Sequence, residues 1–240
     1  MRPTNFPGAN MRPTNLPGTN MRPTNLPGTT IETVITRGAA DRQLTPMFLC
    51  GGLVLSQICQ LTGLEGHTIQ NWVKRKFISP PIKKKYNRNQ VCRIFNINLL
   101  KDTFTLEQAV TLLGYVNTNI NGSDSGGSSH SGGSNVIQND IDSDRIDDSR
   151  LYTYLVDCLA ALNCSDITDS SDSFNNSDNS NSVDIGGIGD SVQTVTAEYQ
   201  SRHRDAAILL RLVLEIMLTA CQAQQVHRRA LDMFGRLRNM

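Results

Sequence analysis

Four polar side chains recur at helical spacing between Gly66 and Phe77. His67, Gln70, Asn71 and Lys74 fall at i, i+3, i+4 and i+7, so a helix here carries them on one face. Ile69, Trp72, Val73 and Phe77 fall on the other face and need a core to pack against. The polar set has the donors and acceptors that read base edges: Asn and Gln pair bidentately with adenine, Lys with guanine. Arg75 extends it. Just downstream come Lys83, Lys84, Lys85, Tyr86 and Arg88. Adjacent cations in a short loop beside such a helix are suited to phosphate oxygens, which position a protein on a duplex without reading sequence.

The charge distribution agrees with that chemistry. The formal net charge is only +1, yet no Asp or Glu occurs from Gly66 to Lys101, a stretch holding Lys74, Arg75, Lys76, Lys83, Lys84, Lys85, Arg88, Arg93 and Lys101. From Asn121 to Asp190 the sign reverses, and Arg145 and Arg150 are the only Lys or Arg. Such segregation is expected of a polyanion-binding block followed by solvated spacers.

Other chemistries find little support. Paired carboxylates, a nucleophile elbow and a phosphate-binding glycine loop are not recognisable, and His67, His130, His203 and His227 sit in unrelated settings. No enzymatic activity and no cofactor are expected. Cys50, Cys59, Cys92, Cys158, Cys164 and Cys221 form no CxxC pair and no zinc spacing. Most lie in apolar helical patterns and read as reduced, buried thiols. A metal or redox sensor built on Cys158, Cys164 and Cys221 is therefore not favoured. The start of the chain lacks a signal-peptide pattern. The apolar run Ala206–Cys221 is interrupted by Arg211 and Glu215, and it falls short of the ~20 residues of a membrane span. A soluble, cytoplasmic, nucleoid-associated protein is expected.

The elements that must position these residues follow from periodicity. Leu55, Ile58, Cys59 and Leu61 predict a first helix that ends at Thr62-Gly63. The second helix runs from about His67 to Lys76 and is stopped before Pro80-Pro81. Lys83 to Asn87 is a basic loop or ribbon. A third helix covers about Asn89 to Lys101, with Val91, Ile94, Ile97 and Leu99 or Leu100 on one face. Thr105 and Gln108 form a capping box that opens a fourth helix ending at Gly114. The whole makes a domain over 46–117, with Trp72 expected in its core beside Ile58, Leu61 and Val91.

Outside that domain the reading is sparser. The first thirty residues are a tandem decapeptide, MRPTNFPGAN, MRPTNLPGTN, MRPTNLPGTT. Its small apolar surface predicts a disordered arm over 1–45 that docks on nothing. Segments 118–149 and 164–190, rich in Ser, Asn, Asp and Gly, predict disordered linkers. A short helix occupies 150–163. One long helix fills 191–236, about 60 Å from Val192 to Phe234 at ~1.5 Å per residue. Its seam residues Leu209, Val213, Ile216 and Ala220 alternate at spacings of three and four, as in a coiled coil, and predict a homodimer.

At this point a resemblance enters. Leu55 to Ile78, LSQICQLTGLEGHTIQNWVKRKFI, resembles the opening of MerR-family regulators: a helix, a Leu-Thr-Gly step, and a second helix that ends before prolines. Tyr86 to Leu106, YNRNQVCRIFNINLLKDTFTL, is similar to that family's third-helix segment, and Phe104-Thr105-Leu106-Glu107 to its Phe-Ser-Leu-Glu. The PPIKKKY segment resembles a group of uncharacterised bacterial MerR-like proteins, a domain of unknown function. Glu65-Gly66 stands where the family usually has Ser and Pro, and the wing lacks its common Asn-Gly-Tyr-Arg turn. The resemblance implies a mainly α fold with a winged helix-turn-helix. It also implies a dimeric transcriptional regulator that binds double-stranded DNA, with no effector domain recognisable. The competing expectation is a protein-interaction or assembly module that has kept the helix-turn-helix fold.

Overall fold

The computed structural model describes residues 24–116, 145–165, 187–202 and 204–238. Among them, in chain order, lie strands β1 (Thr24–Asn25) and β2 (Glu32–Thr33), helix α1 (Ala39–Phe48), β3 (Leu53–Val54), α2 (Leu55–Thr62), α3 (Gly66–Lys74) and β4 (Lys85–Tyr86). The helices α4 (Arg88–Leu100), α5 (Leu106–Tyr115), α6 (Asp148–Ser165), α7 (Ile188–Arg202) and α8 (Arg204–Arg238) follow. The fold is mainly helical and ends in a long helix. The strands form two short antiparallel ribbons, β1 with β2 and β3 with β4.

Local chemistry sets the boundaries of the central helices. Helix α2 ends where Gly63 takes φ +69° and its N–H reaches the Cys59 carbonyl at 2.8 Å. Such a left-handed cap carries no steric penalty for glycine. Helix α4 opens on a reciprocal cap: Asn87 Oδ1 accepts from the Gln90 amide at 2.9 Å, and Gln90 Oε1 from the Asn87 amide at 2.8 Å. Thr105 and Gln108 make the same exchange before α5, as the capping-box reading expected.

Helix α4 is the axis of the core. Its expected apolar face, Val91, Ile94, Ile97, Leu99 and Leu100, is buried, but so are Cys92, Phe95 and Asn96. The helix is covered nearly all round because α2, α5, α6 and α8 all pack against it. Trp72 and Ile58 are buried in the same core, and Leu61 packs against it, so the tryptophan is a core residue.

Three sequence expectations need correction. Residues 24–45 do not belong to a disordered arm: Leu26, Ala40 and Leu44 are fully buried. The third decapeptide is held by hydrogen bonds the repeat's composition did not announce, because its docking is made largely by backbone groups. Tyr152 donates to the Pro27 carbonyl at 2.8 Å, Asn98 Nδ2 to the Gly28 carbonyl at 2.8 Å, and the Thr30 amide to the Leu61 carbonyl at 2.8 Å. The first two decapeptides lie outside the described residues.

The second correction concerns the linkers. Most of both, 117–144 and 166–186, lies outside the described residues. Their inner ends are ordered, however. Ile146 is fully buried, Asp148 starts α6 and Ile188 starts α7.

The third concerns the long helix. It is two helices, α7 and α8, packed on each other. Arg211 of α8 reaches Gln193 of α7 at 3.5 Å, so the pair runs antiparallel. Val213 and Ala220 are buried, and Leu209 and Ile216 are half-buried, inside one chain. A heptad stripe states that a partner helix exists, not which chain supplies it; here α7, α6 and α4 supply the cover. Helix α8 is long and apolar enough to cross a membrane, and half of its most apolar window is buried in the fold.

Candidate nucleic-acid interface

Helices α2 and α3 pack against each other and meet through the Thr62–Glu65 turn. Ile69 and Trp72 turn inward, while His67, Gln70, Asn71 and Lys74 are exposed along the outer face of α3. None of these four side chains makes a hydrogen bond or ion pair among the described residues. A polar face left free in this way can form bonds to a ligand without first breaking internal ones.

Beside it stands a ribbon. Strand β3, which the sequence reading did not assign, pairs with β4 in the register Leu53↔Tyr86 and Val54↔Lys85. Ile82 and Lys85 exchange backbone hydrogen bonds at 3.0 and 2.9 Å across Lys83-Lys84. Both central residues have positive φ, 50° and 64°, the pattern of a type I′ turn, whose usual occupants are Asn and Gly. Lysine there costs about 1–2 kcal/mol per residue in backbone sterics. The third positive-φ residue other than glycine among the described residues is Lys76, φ 63°, just past α3. Strained backbone at three lysines flanking one helix is the kind of outlier that accompanies functional sites.

The loop between α3 and the ribbon is pinned from behind. Gln90 Nε2 donates to the Ser79 carbonyl at 3.0 Å, to Ser79 Oγ at 2.9 Å and to the Pro80 carbonyl at 3.0 Å. Arg93 Nε donates to the Phe77 carbonyl at 2.5 Å and its guanidinium pairs with Asp148 at 3.2 Å. Burial pushes the Asp148 carboxyl up to about 6, against the opposing pull of Arg93.

The nine cations of the acid-free block divide by residue type. Every arginine meets a carboxylate from outside the block: Arg75 with Glu107, Arg88 with Asp41, Arg93 with Asp148. Lys101 lies 3.9 Å from Asp102. The five remaining, Lys74, Lys76, Lys83, Lys84 and Lys85, are exposed and have no carboxylate partner among the described residues. Lys85 only donates to the Cys50 carbonyl at 3.2 Å. All five sit at the end of α3 or on the ribbon. Between α3 and the ribbon lies a groove of about 540 Å³ lined by Val54, Leu55, Gln70, Val73, Pro81, Lys84 and Tyr86.

Three expected contact residues, Tyr86, Arg88 and Arg75, are redirected. Tyr86 is buried, with 3% of its surface exposed, and lines the groove. Arg88 faces α1, where it also donates to Thr45 Oγ1 at 3.1 Å. Arg75, in its pair with Glu107, stacks over the Phe77 ring at 4.5 Å. Lys76, absent from the expected contact set, belongs to the free cluster; its place in the acid-free block was the available signal. Cys158 and Cys221 are buried, and burial pushes both thiols up to about 12. No group of three His, Cys, Asp or Glu is close enough to hold a metal among the described residues.

The family model described as "Domain of unknown function (DUF1836)" matches residues 53–131, about a third of the chain. The matched segment begins at β3 and takes in α2, α3, the ribbon, α4 and α5. No curated protein matches the chain, and no solved structure matches it.

Proposed function

We propose that this protein binds double-stranded DNA sequence-specifically through a winged helix-turn-helix of MerR type and acts as a transcriptional regulator in the soluble phase. Helix α3 enters the major groove, where Gln70 and Asn71 read base edges, with His67 and Lys74 beside them. The ribbon is the wing, and Lys83, Lys84 and Lys85 lie on phosphates. The observation that carries this reading is the partition of the cations: arginines neutralised internally, five exposed lysines left around one polar helix face. Lys84→Ala is the test. It should weaken binding to all duplexes alike and reduce the slope of log affinity against log salt by about one. An unchanged slope would remove Lys84 from the interface.

A dimer on two half-sites fits this mode of recognition. With Val213 and Ala220 already covered, the far end of α8 is the surface we assign to a second copy. There Val226, Met233, Phe234 and Leu237 are exposed on a shared side of the helix. Phe234→Asp should then give a monomer in sedimentation with the remaining fold unchanged; a wild-type protein that is monomeric at micromolar concentration would end the dimer reading. The apolar groove between α3 and the ribbon favours the second reading, a protein-interaction module. That reading requires binding to a peptide or protein and none to duplex DNA.

A further inference from the structure

The third decapeptide occupies a made-to-measure site. Leu26 is fully buried. The Pro27 and Gly28 carbonyls accept from Tyr152 of α6 and Asn98 of α4, both at 2.8 Å. Gly28 has φ +68°, and a Cβ there would lie 2.1 Å from the Phe95 carbonyl oxygen and 3.1 Å from the Leu99 nitrogen. Both are backbone atoms of α4 that cannot swing aside, so only glycine fits. The Thr29 amide and hydroxyl turn back on the Leu26 carbonyl at 3.0 Å each. Thr24-Asn25 pair with Glu32-Thr33.

The requirements carried by Thr24 to Thr29 are met a second time in the chain, although Arg22-Pro23 stand where the third repeat has its pairing partners Glu32-Thr33. Met11–Thr19 repeats Met21–Thr29 residue for residue, including Thr14-Asn15, Leu16, Pro17, Gly18 and Thr19. We infer that the groove formed by α2, α4 and α6 is a binding site for a Thr-Asn-Leu-Pro-Gly-Thr segment, and that Thr14–Thr19 is an interchangeable occupant supplied by the same chain.

The energetics favour the third repeat without barring the second. Thr30 adds a hydroxyl bond to the Gln60 carbonyl at 2.8 Å, and Ile31 packs against the core; the second repeat has Asn20 and Met21 at those places. When the second repeat docks, residues 21–31 become a loop between Asn20 and Glu32. Loop closure grows only slowly with length, so the exchange is accessible. A second repeat on the same chain also competes at the high effective concentration of a short tether, which disfavours capture of a segment from another molecule. The first repeat, with Phe6 and Ala9 in place of Leu and Thr, lacks the side chain that closes the turn. The device is a latch with a spare: it changes the free length of the arm by one ten-residue unit while the core stays sealed.

Hydrogen exchange of the full chain reads this directly. In the wild type, the Thr29 and Thr30 amides are protected. Gly28→Ala excludes the third repeat, so protection should pass to the Thr19 and Asn20 amides, with the sedimentation coefficient unchanged. Gly18→Ala alone should do nothing, and Gly18→Ala/Gly28→Ala should lose protection at both places and melt lower than Gly28→Ala. Leu26→Ala, which empties the pocket without a clash, should give the same transfer. The inference fails if Gly28→Ala and Leu26→Ala leave Thr19 and Asn20 unprotected, or if Gly28→Ala melts no higher than the double variant. Persistent protection at Thr29 and Thr30 in Gly28→Ala also overturns it. A doubled mass in Gly28→Ala alone would show the occupant to be another copy.

Discussion

Replacing Lys83-Lys84 by Asn-Gly separates what the ribbon's turn does for folding from what, on the proposed reading, it does for binding DNA. Both lysines hold positive φ, 50° and 64°, at about 1–2 kcal/mol each. Asn tolerates this region and glycine has no penalty there, although glycine loses about 0.5–1 kcal/mol more conformational entropy on folding. The net gain is about 1–2 kcal/mol, which for a chain of this size raises Tm by roughly 2–8 °C. DNA affinity moves the other way. Losing two phosphate contacts lowers the salt slope by about 1.8, so the wild type's advantage is greatest in dilute salt and shrinks by roughly tenfold between 50 and 200 mM. Thermal melts and fluorescence-anisotropy titrations over that salt range measure both quantities on one preparation. If Tm falls, the turn is not strained by its lysines. If affinity and slope stay unchanged while Tm rises, the wing tip does not touch phosphate.

The remaining predictions use other parts of the fold. Trp72→Ala should cost ~3–5 kcal/mol in denaturant unfolding, because the side chain is buried at 2% exposure. Removing residues 1–30 should lower Tm by several degrees, since Leu26 and its hydrogen bonds go with them, whereas removing 1–20 should leave Tm in place; equal melts for the two truncations would refute the docking. Asp148 has a folded-state pKa raised from 3.8 to about 6, so its contribution is full below the unfolded value and is lost as pH rises through 6. It amounts to about 3 kcal/mol across that window. Asp148→Asn cannot titrate, so its stability relative to wild type should climb between pH 4 and 7; a constant difference would disprove the shift.

Helices α2 to α5 were legible because their signals are local. The 3.6-residue period around Ile69 and Trp72, the Thr62-Gly63 stop and the Thr105/Gln108 box each act within a turn or two. Partnership across the chain was not legible. Arg88 and Tyr86 share one basic, polar segment with Lys83 to Lys85, and only tertiary packing sends Arg88 to Asp41 and the Tyr86 ring inward. Likewise Val213 and Ala220 present a stripe that serves an intramolecular or an intermolecular helix equally. Leu26 escaped notice because its repeat is bound through the Pro27 and Gly28 carbonyls, and backbone acceptors leave no trace in side-chain composition. Strand β3 is two residues long, too short to show a periodicity, and is defined by its pairing with β4.

Selection from a randomised duplex library tests the central claim most directly. The wild-type protein should enrich one sequence motif, and Asn71→Ala should lose preference at a single base position of it while binding ~1–3 kcal/mol more weakly. A recovered pool indistinguishable from the starting library would contradict sequence-specific recognition by α3.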